Sequence, residues 1–487
     1  MRSFVLVAIV VGCGSPPPSL DDLALGCVSS NEPATFSTSA DFAPAVPGTL
    51  RDWNVDGRWF LTGTRISGVS SYHFQRSGGQ VIIDRNTASP GTIDDDEIFA
   101  RVELADAPGS NYLIATRISN LRPDGTARAE RATCSDTGCT VCTAKLIRAT
   151  HHADEGEGDH LTLLGQLADP GWKGYTFNVR VAGTLAYLIR QDGLHIIETR
   201  DPAHPVELGH YRRTGAGYSN DVKLVDAGGK RFALIADSPV DVVDVTTPQA
   251  PVLAAQLPES AHTLFTETLA GTTRAYLGNY DGHCPVYDVT NPALPQKLGS
   301  YDTGASMLHD LSVVDSIAYL NAWERGFLAV DFTTPAAPRR LGAWQATPIR
   351  TSHSNWTTTA GGYRIALHGE EGYDAHLSIV DVDPASRTFM TPLASWQTRP
   401  WVSIHNIMAF GTKAYFTYYQ DGVRVLDVSD PEHPVQLGYY NTWDPQGDTA
   451  TSALYEGAVG LDVDLARKLV FVADSPRGLL ILRDDTP

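Results

Sequence analysis

From about residue 175 onward, apolar residues fall in short runs broken by Gly, Pro and Asp, with little of the 3.6-residue spacing of a helix. One pattern recurs at intervals of roughly 42 to 56 residues. An apolar strand is followed by a break, then Ala-Tyr among apolar neighbours. An acidic or Gly turn follows, then a strand ending in Asp-Val, then Pro-x-x-Pro and Leu-Gly. The copies centre on Ala186-Tyr187, Ala233-Leu234, Ala275-Tyr276, Ala318-Tyr319, Ile365-Ala366, Ala414-Tyr415 and Val470-Phe471. Each predicts four short strands joined by tight turns, and Asp-Gly or Gly-Gly pairs supply the positive φ those turns need. A four-stranded unit of this period, repeated seven times, predicts a seven-bladed β-propeller over residues 160–485. A β-solenoid is the alternative, with shorter repeats and no ring to close.

The last copy lacks its Pro-x-x-Pro and outer strand. The segment His160 to Leu167 resembles the missing piece, as comparison with Pro205-Val206-Glu207-Leu208-Gly209 shows. An N-terminal outer strand is therefore expected to complete the seventh blade and leave no free edge at the closure. Residues 46–150 lack the repeat. Their apolar runs, such as Trp59-Phe60-Leu61, Val81-Ile82-Ile83 and Tyr112-Leu113-Ile114, predict an accessory β-domain, a small barrel or sandwich.

The strand ending in Asp-Val before Pro-x-x-Pro resembles the LVIVD-repeat proteins, and Ile379-Val380-Asp381 and Val425-Leu426-Asp427-Val428 carry the likeness best. The resemblance covers about residues 160–485. It implies an exported β-propeller and names no catalytic residues.

The N-terminus adds an address. Met1-Arg2 precedes an apolar run ending Val10-Val11-Gly12-Cys13, which reads as a signal peptide over residues 1–12. Gly12-Cys13 resembles a bacterial lipobox, which implies cleavage before Cys13 and lipidation of its thiol. Residues 13–45, rich in Pro, Ser, Thr and Ala, are expected to form a flexible tether. The expected location is the cell envelope, at the outer membrane or cell surface, with the lipid as the sole membrane contact.

Charge narrows the partners. The 487 residues carry 37 basic and 56 acidic side chains, a net −19, and no Lys or Arg run offers a basic patch, so nucleic acid is excluded as a partner. No apolar stretch is long enough for a transmembrane helix. Beyond Cys13 there are five cysteines, Cys27, Cys134, Cys139, Cys142 and Cys284. Export favours disulfides, and an odd number leaves at least one thiol outside them. The C-x4-C-x2-C spacing of Cys134, Cys139 and Cys142 would suit an iron–sulfur cluster, and His151 and His152 nearby would suit zinc; disulfide pairing in this loop is the simpler expectation.

The residues best placed for chemistry lie at the start of each innermost strand, where the blades converge. They are Phe177-Asn178, Asn220-Asp221, His262-Thr263, His309-Asp310, Ser354-Asn355, His405-Asn406 and Gly457-Ala458, with His353 and Glu456 alongside. Three readings of this ring stay open. It satisfies strand ends and channel water by mutual hydrogen bonding. It is a ligand-binding mouth made of Asn178, Asn220, Asp221, His262, His309, Asp310, Asn355, His405 and Asn406. Or it is a divalent metal site built from His262, His309, His353 and His405, with Asp221, Asp310 or Glu456 assisting, where zinc or calcium would open a route to hydrolysis. Asp192, Asp237, Asp281, Glu324, Glu370, Glu371, Asp421 and Asp474 fall in turns and read as solvated hairpin residues. The Asp ending the third strand is expected to accept a backbone bond before Pro. Asp154 to Asp159 reads as an acidic linker.

No P-loop, dinucleotide fingerprint or serine-hydrolase elbow is present. The expected function is a monomeric, non-catalytic binding platform for an envelope protein, a glycan or a small polar ligand. The alternative is a metal-dependent hydrolase or lyase using the histidines.

Overall fold

The computed structural model describes residues 25–31, 34–64, 71–77, 80–84, 89–107, 110–172, 174–213, 219–348, 350–447 and 456–487. The expected signal peptide and Cys13 lie outside them. The chain divides into an N-terminal unit ending at Arg148 and a C-terminal unit running on from Ala149. Strands make up both, with one short 3-10 turn, Ser39–Asp41, among the described residues.

In the N-terminal unit the strands Gly57–Thr62, Ser71–Ser77, Gln80–Asp84, Ser89–Ile93, Glu97–Ala107, Ser110–Ser119, Ala127–Ser135 and Gly138–Arg148 form an up-and-down sheet. The last strand pairs back onto the first, from Trp59↔Arg148 to Thr62↔Lys145, which closes an eight-stranded barrel. Of the two shapes the sequence allows, this is the barrel, and closure removes both sheet edges.

The expected tether is corrected over its described part; residues 13–24 of it lie outside the described residues. Gly26–Ser30 pairs with the other half of the last barrel strand, and Cys27 bonds Cys142 across that pairing. Phe36 and Phe42 are buried against Ala115, Ala132 and the second disulfide, Cys134–Cys139. A stretch whose composition suits a linker is thus held by two aromatics and a crosslink. Both disulfides use the cysteines of the C-x4-C-x2-C run, which removes the cluster and zinc readings. Among the described residues Cys284 is the free thiol, fully buried in the propeller.

In the C-terminal unit seven four-stranded antiparallel sheets follow one another as blades 1 to 7, spanning residues 176–212, 221–257, 261–302, 310–344, 352–396, 407–440 and 458–484. Six blades take their strands in sequence order. The seventh takes its outer strand, Leu161–Leu167, from the front of the propeller, paired with Gly478–Asp484 from Leu161↔Asp484 to Leu167↔Leu479. The closure expected from the sequence is the one found. The acidic run before it is no free linker. Gly158–Asp159 adds a fifth strand to blade 6, and Glu155 pairs through both oxygens with the buried Arg424 guanidinium at 2.6 and 2.9 Å.

The core lies between neighbouring blades. Ala233, Leu234 and Ile235 of blade 2 are all buried, although successive residues of a strand face opposite ways, because both faces of each blade are covered. Val179, Ala186 and Leu188 of blade 1 pack with Leu469, Phe471 and Ile481 of blade 7, so the ring is sealed by the same kind of apolar contact as the other joints.

The repeat residues hold these joints. The Tyr of Ala-Tyr reaches across to the next blade. Tyr319 of blade 4 donates to Val382 O at 2.9 Å, and Tyr415 of blade 6 donates to Asp484 Oδ2 at 2.7 Å. Asp244, Asp288, Asp331, Asp381 and Asp427 accept the backbone N–H two residues on, at 2.7–3.0 Å, as the sequence predicts. The Leu of Leu-Gly is the extra residue of a β-bulge in the outer strand, and Gly follows it. A Cβ on Gly209 would overlap the carbonyl oxygen of Pro248 in the next blade, and one on Gly299 that of Pro335. The motif is therefore a blade-to-blade contact. Gly299→Ala is expected to lose about 1–3 kcal/mol in urea unfolding, as overpacking does.

Candidate functional site

Four consecutive blades place a histidine at the head of the innermost strand: His262 in blade 3, His309 in blade 4, His353 in blade 5 and His405 in blade 6. In blades 3 and 5 the histidine is the extra residue of a bulge, between Ala261 and Thr263 and between Ser352 and Ser354. A bulge re-aims one side chain out of the strand's alternation. In blades 4 and 6 the histidine precedes the strand, and its N–H donates to Asn321 O and Thr417 O, both at 2.9 Å. The four rings form a continuous arc, with centroids 4.1 Å apart for His262–His309, 3.9 Å for His309–His353 and 4.6 Å for His353–His405.

Aromatics back the arc. His309 stacks on Trp323 at 4.9 Å, His405 lies 4.8 Å from Tyr419, and His262 meets Tyr280 edge-on at 5.4 Å. Tyr280 and Trp323 directly follow the second strand of their blades. In blade 5 the residue at that place is Glu371. Its Oε1 accepts from Tyr419 at 2.6 Å and stands 3.5 Å from His353 Nε2 and 4.0 Å from His405 Nε2. The sequence places Glu371 in a solvated turn; it is 8% exposed. The repeat alignment carries a signal for it: a carboxylate at a place where neighbouring copies have an aromatic.

Two tautomers follow from backbone contacts. His309 Nδ1 lies 3.1 Å from His353 O and His405 Nδ1 lies 2.7 Å from Val459 O. A carbonyl only accepts, so Nδ1 carries the proton and Nε2 is left with its lone pair. His262 Nδ1 is 3.1 Å from the Tyr280 hydroxyl, which also accepts from Asn220. His353 is different. It is 1% exposed, and neither ring nitrogen makes a well-formed hydrogen bond: the His405 backbone lies against the ring and Glu371 Oε1 stands 3.5 Å from Nε2. Burial pushes His262 and His405 down to about 4. Burial and the neighbouring imidazoles together hold His309 and His353 well below the ordinary imidazole value. All four rings are neutral at neutral pH, the form that binds metals.

The other residues expected at the mouth are engaged elsewhere. Asp221 is buried and accepts from Asn178 at 2.7 Å, Thr263 at 2.9 Å and the Lys223 ammonium. Asp310 Oδ1 lies 3.1 Å from the same Thr263 oxygen, whose one hydrogen goes to the nearer Asp221, and burial pushes its carboxyl up to about 7. These groups form one network among the inner strands of blades 1 to 4. Asn355 lies between blades 4 and 5, with its amide donating to Tyr319 O at 2.9 Å and to Asn321. Asn406 is half-buried, with its N–H on Thr417 Oγ1 at 3.0 Å. Glu456 accepts from Trp443 at 3.0 Å. Asn178, Asp221, Asp310 and Asn355 are thus tied into bonds between strands and Glu456 into a bond between loops, and Glu371 is the carboxylate at the histidine arc.

A second grouping, Asp192, His195 and His210, lies in blade 1, where His195 and His210 are cross-strand partners. Both His195 nitrogens already have carboxylates, Asp192 at 3.1 Å and Glu207 at 3.0 Å. His195 is thereby satisfied, whereas His210 Nε2, 3.9 Å from Asp192 Oδ2, has no hydrogen-bond partner.

A closed seven-bladed β-propeller with an arc of four adjoining histidines at the heads of its inner strands is the class these observations define. The LVIVD repeat family model matches residues 173–213 and 405–442, which contain blades 1 and 6, so the chain carries LVIVD repeats. Among solved structures, the crystal structure of BamB from Moraxella catarrhalis is similar over 63% of this chain and 83% of that chain, at 13% identity and a TM-score of 0.40. No curated protein matches the chain.

Proposed function

We propose that the protein is a binding platform of the cell envelope, and that the channel mouth between blades 3 and 6 receives its ligand, a small polar species or a group presented by a surface partner. His353 is the observation that carries this. A buried polar group normally has its hydrogen bonds made, and leaving one unmade costs about 1–3 kcal/mol. A buried imidazole whose Nε2 makes no well-formed hydrogen bond and meets only a carboxylate oxygen at 3.5 Å suits a site that gains its missing contact when something binds. Export is supported by the signal-like first twelve residues and by two disulfides, which persist in oxidising compartments. Lipidation of Cys13 would hold the propeller at the membrane surface.

The metal-dependent hydrolase or lyase is the second reading. The imidazole and carboxylate groups at one place favour it, since that donor set can hold an ion with a position left for water.

The test is a trade of stability for function. His353→Leu keeps the bulk of the ring and removes its nitrogens. Ligand-free His353→Leu is expected to be as stable as the parent or more so in urea unfolding, because a binding residue is not selected for stability. A loss of more than about 2 kcal/mol would make His353 a packing residue and remove the reading.

A further inference from the structure

Resting on the mouth as a ligand site, we infer that the species it receives is a divalent transition-metal ion, held by His309, His353 and Glu371 with His405 beside them. One ligand atom from each of the first three can be chosen so that all lie within 4.8 Å of one another, and all three residues are buried. A modest inward movement brings such a set onto one ion, whose bonds to imidazole and carboxylate are about 2.0–2.2 Å long.

The surroundings match what metal sites place behind their ligands. Ligating histidines donate their other ring N–H to a carbonyl or carboxylate, which fixes the tautomer. His309 and His405 do this through Nδ1, onto His353 O and Val459 O. Ligating carboxylates are themselves hydrogen-bonded, and Glu371 accepts from Tyr419. His353 has a nitrogen to give without breaking any well-formed hydrogen bond.

The donor set also selects the ion. Calcium takes six to eight oxygens and magnesium an octahedron of them, and the arc offers one carboxylate. Imidazole with a carboxylate suits zinc, cobalt, nickel, copper or iron. An anion finds one carboxylate and no cation within the arc. With two or three imidazoles and Glu371 bound, a tetrahedral or five-coordinate ion keeps a position open toward the channel. The polar ligand of the mouth would bind there, as a carboxylate, hydroxyl or water oxygen.

The experiment uses tag-free full-length protein with its disulfides formed, stripped by chelator and titrated with Co2+ and Zn2+ alone. Bound metal is measured by mass spectrometry, and the Co2+ visible spectrum reports the ligand set. One ion per chain is expected, with the absorption of a four- or five-coordinate nitrogen–oxygen site. Glu371→Gln and His309→Ala should each weaken binding by more than about 100-fold, and Tyr419→Phe, which keeps the ring against His405 and removes the hydroxyl that bonds the carboxylate, by about 10-fold. Circular dichroism matching the parent shows that each variant is folded. His309→Gln, which keeps a side chain that can bond His353 O, serves if His309→Ala does not fold, and the same loss is expected of it. No binding by the stripped parent overturns the inference. So does one ion per chain unchanged in folded Glu371→Gln and His309 variants, which would place the ion elsewhere, as at Asp192 and His210. Neither result bears on the stability of ligand-free His353→Leu, so the mouth as a ligand site stands or falls separately.

Discussion

A chain beginning at Ala168 is expected to form no stable propeller, while one beginning at Ala149 unfolds cooperatively. The two differ in residues 149–167, which hold Glu155, the partner of buried Arg424, the short added strand Gly158–Asp159 of blade 6 and, largest of the three, Leu161–Leu167, the outer strand of blade 7. Its loss exposes an unpaired edge on Gly478–Asp484, but water can replace much of the lost backbone pairing, so the larger cost is apolar. Leu161 is 3% exposed and packs with Leu461, Leu480 and Leu482. Leu164 and Leu167 pack on the cluster that joins blade 7 to blade 1. At about 1.5–3 kcal/mol for each fully buried leucine, and less for those partly covered, the strand contributes about 5 kcal/mol. Net stabilities run about 5–15 kcal/mol, so the loss is a large share of the whole. The freed edge also becomes a template for pairing with another chain. Urea unfolding with size-exclusion chromatography checks this. A melt for the shorter chain within about 1 kcal/mol of the longer one would show that blades 1 and 7 hold the ring without the strand.

Closure was legible in the sequence because the outer strand keeps the repeat's own Leu-Gly signature although it stands at the other end of the domain. The same repetition exposed the histidines. Four copies in a row carry one near the same place, and the ring geometry of a propeller brings such places together whatever else the sequence does. What stayed hidden depends on single residues. The bulges that aim His262 and His353 leave no mark in composition, since a bulge is one extra residue that shifts the alternation by a single place. Glu371 read as a turn residue because carboxylates are common in turns; its burial comes from Tyr419 and His405 of the next blade, contacts that no local pattern encodes. The segment from Gly26 to Phe42 read as a tether because Pro, Ser and Thr dominate it, while Cys27, Phe36 and Phe42 are what hold it. Asp154 to Asp159 read as a solvated run because its partner, Arg424, is far along the chain and buried in blade 6.

Asp221→Ala is expected to be the most damaging single substitution in the channel, costing about 3–5 kcal/mol. The carboxylate is 4% exposed and binds on every side. Oδ1 accepts from Asn178 at 2.7 Å and from its neighbour Val222 N at 2.8 Å; Oδ2 accepts from Thr263 at 2.9 Å, from Leu264 N at 3.3 Å and from Lys223. Burial alone would raise its pKa, but Lys223 and Arg180 outweigh burial and hold it below the usual carboxylate value. Removing it strands an ammonium that burial and Arg180 already hold below the usual lysine value. The double-mutant cycle separates the causes. If the stranded charge is the main cost, Asp221→Ala/Lys223→Met should lose less than the sum of the single losses, by roughly 2 kcal/mol or more. If the orphaned donors Asn178, Thr263 and Leu264 N–H dominate, the two losses should add. Either way the damage should reach stability and leave the inferred metal site at His309, His353 and Glu371 intact in whatever fraction folds, because the network belongs to blades 1 to 4 and its work is to hold their inner strands in register. A folded Asp221→Ala protein with parent-like stability would remove that role and return Asp221 to the ligand-binding mouth.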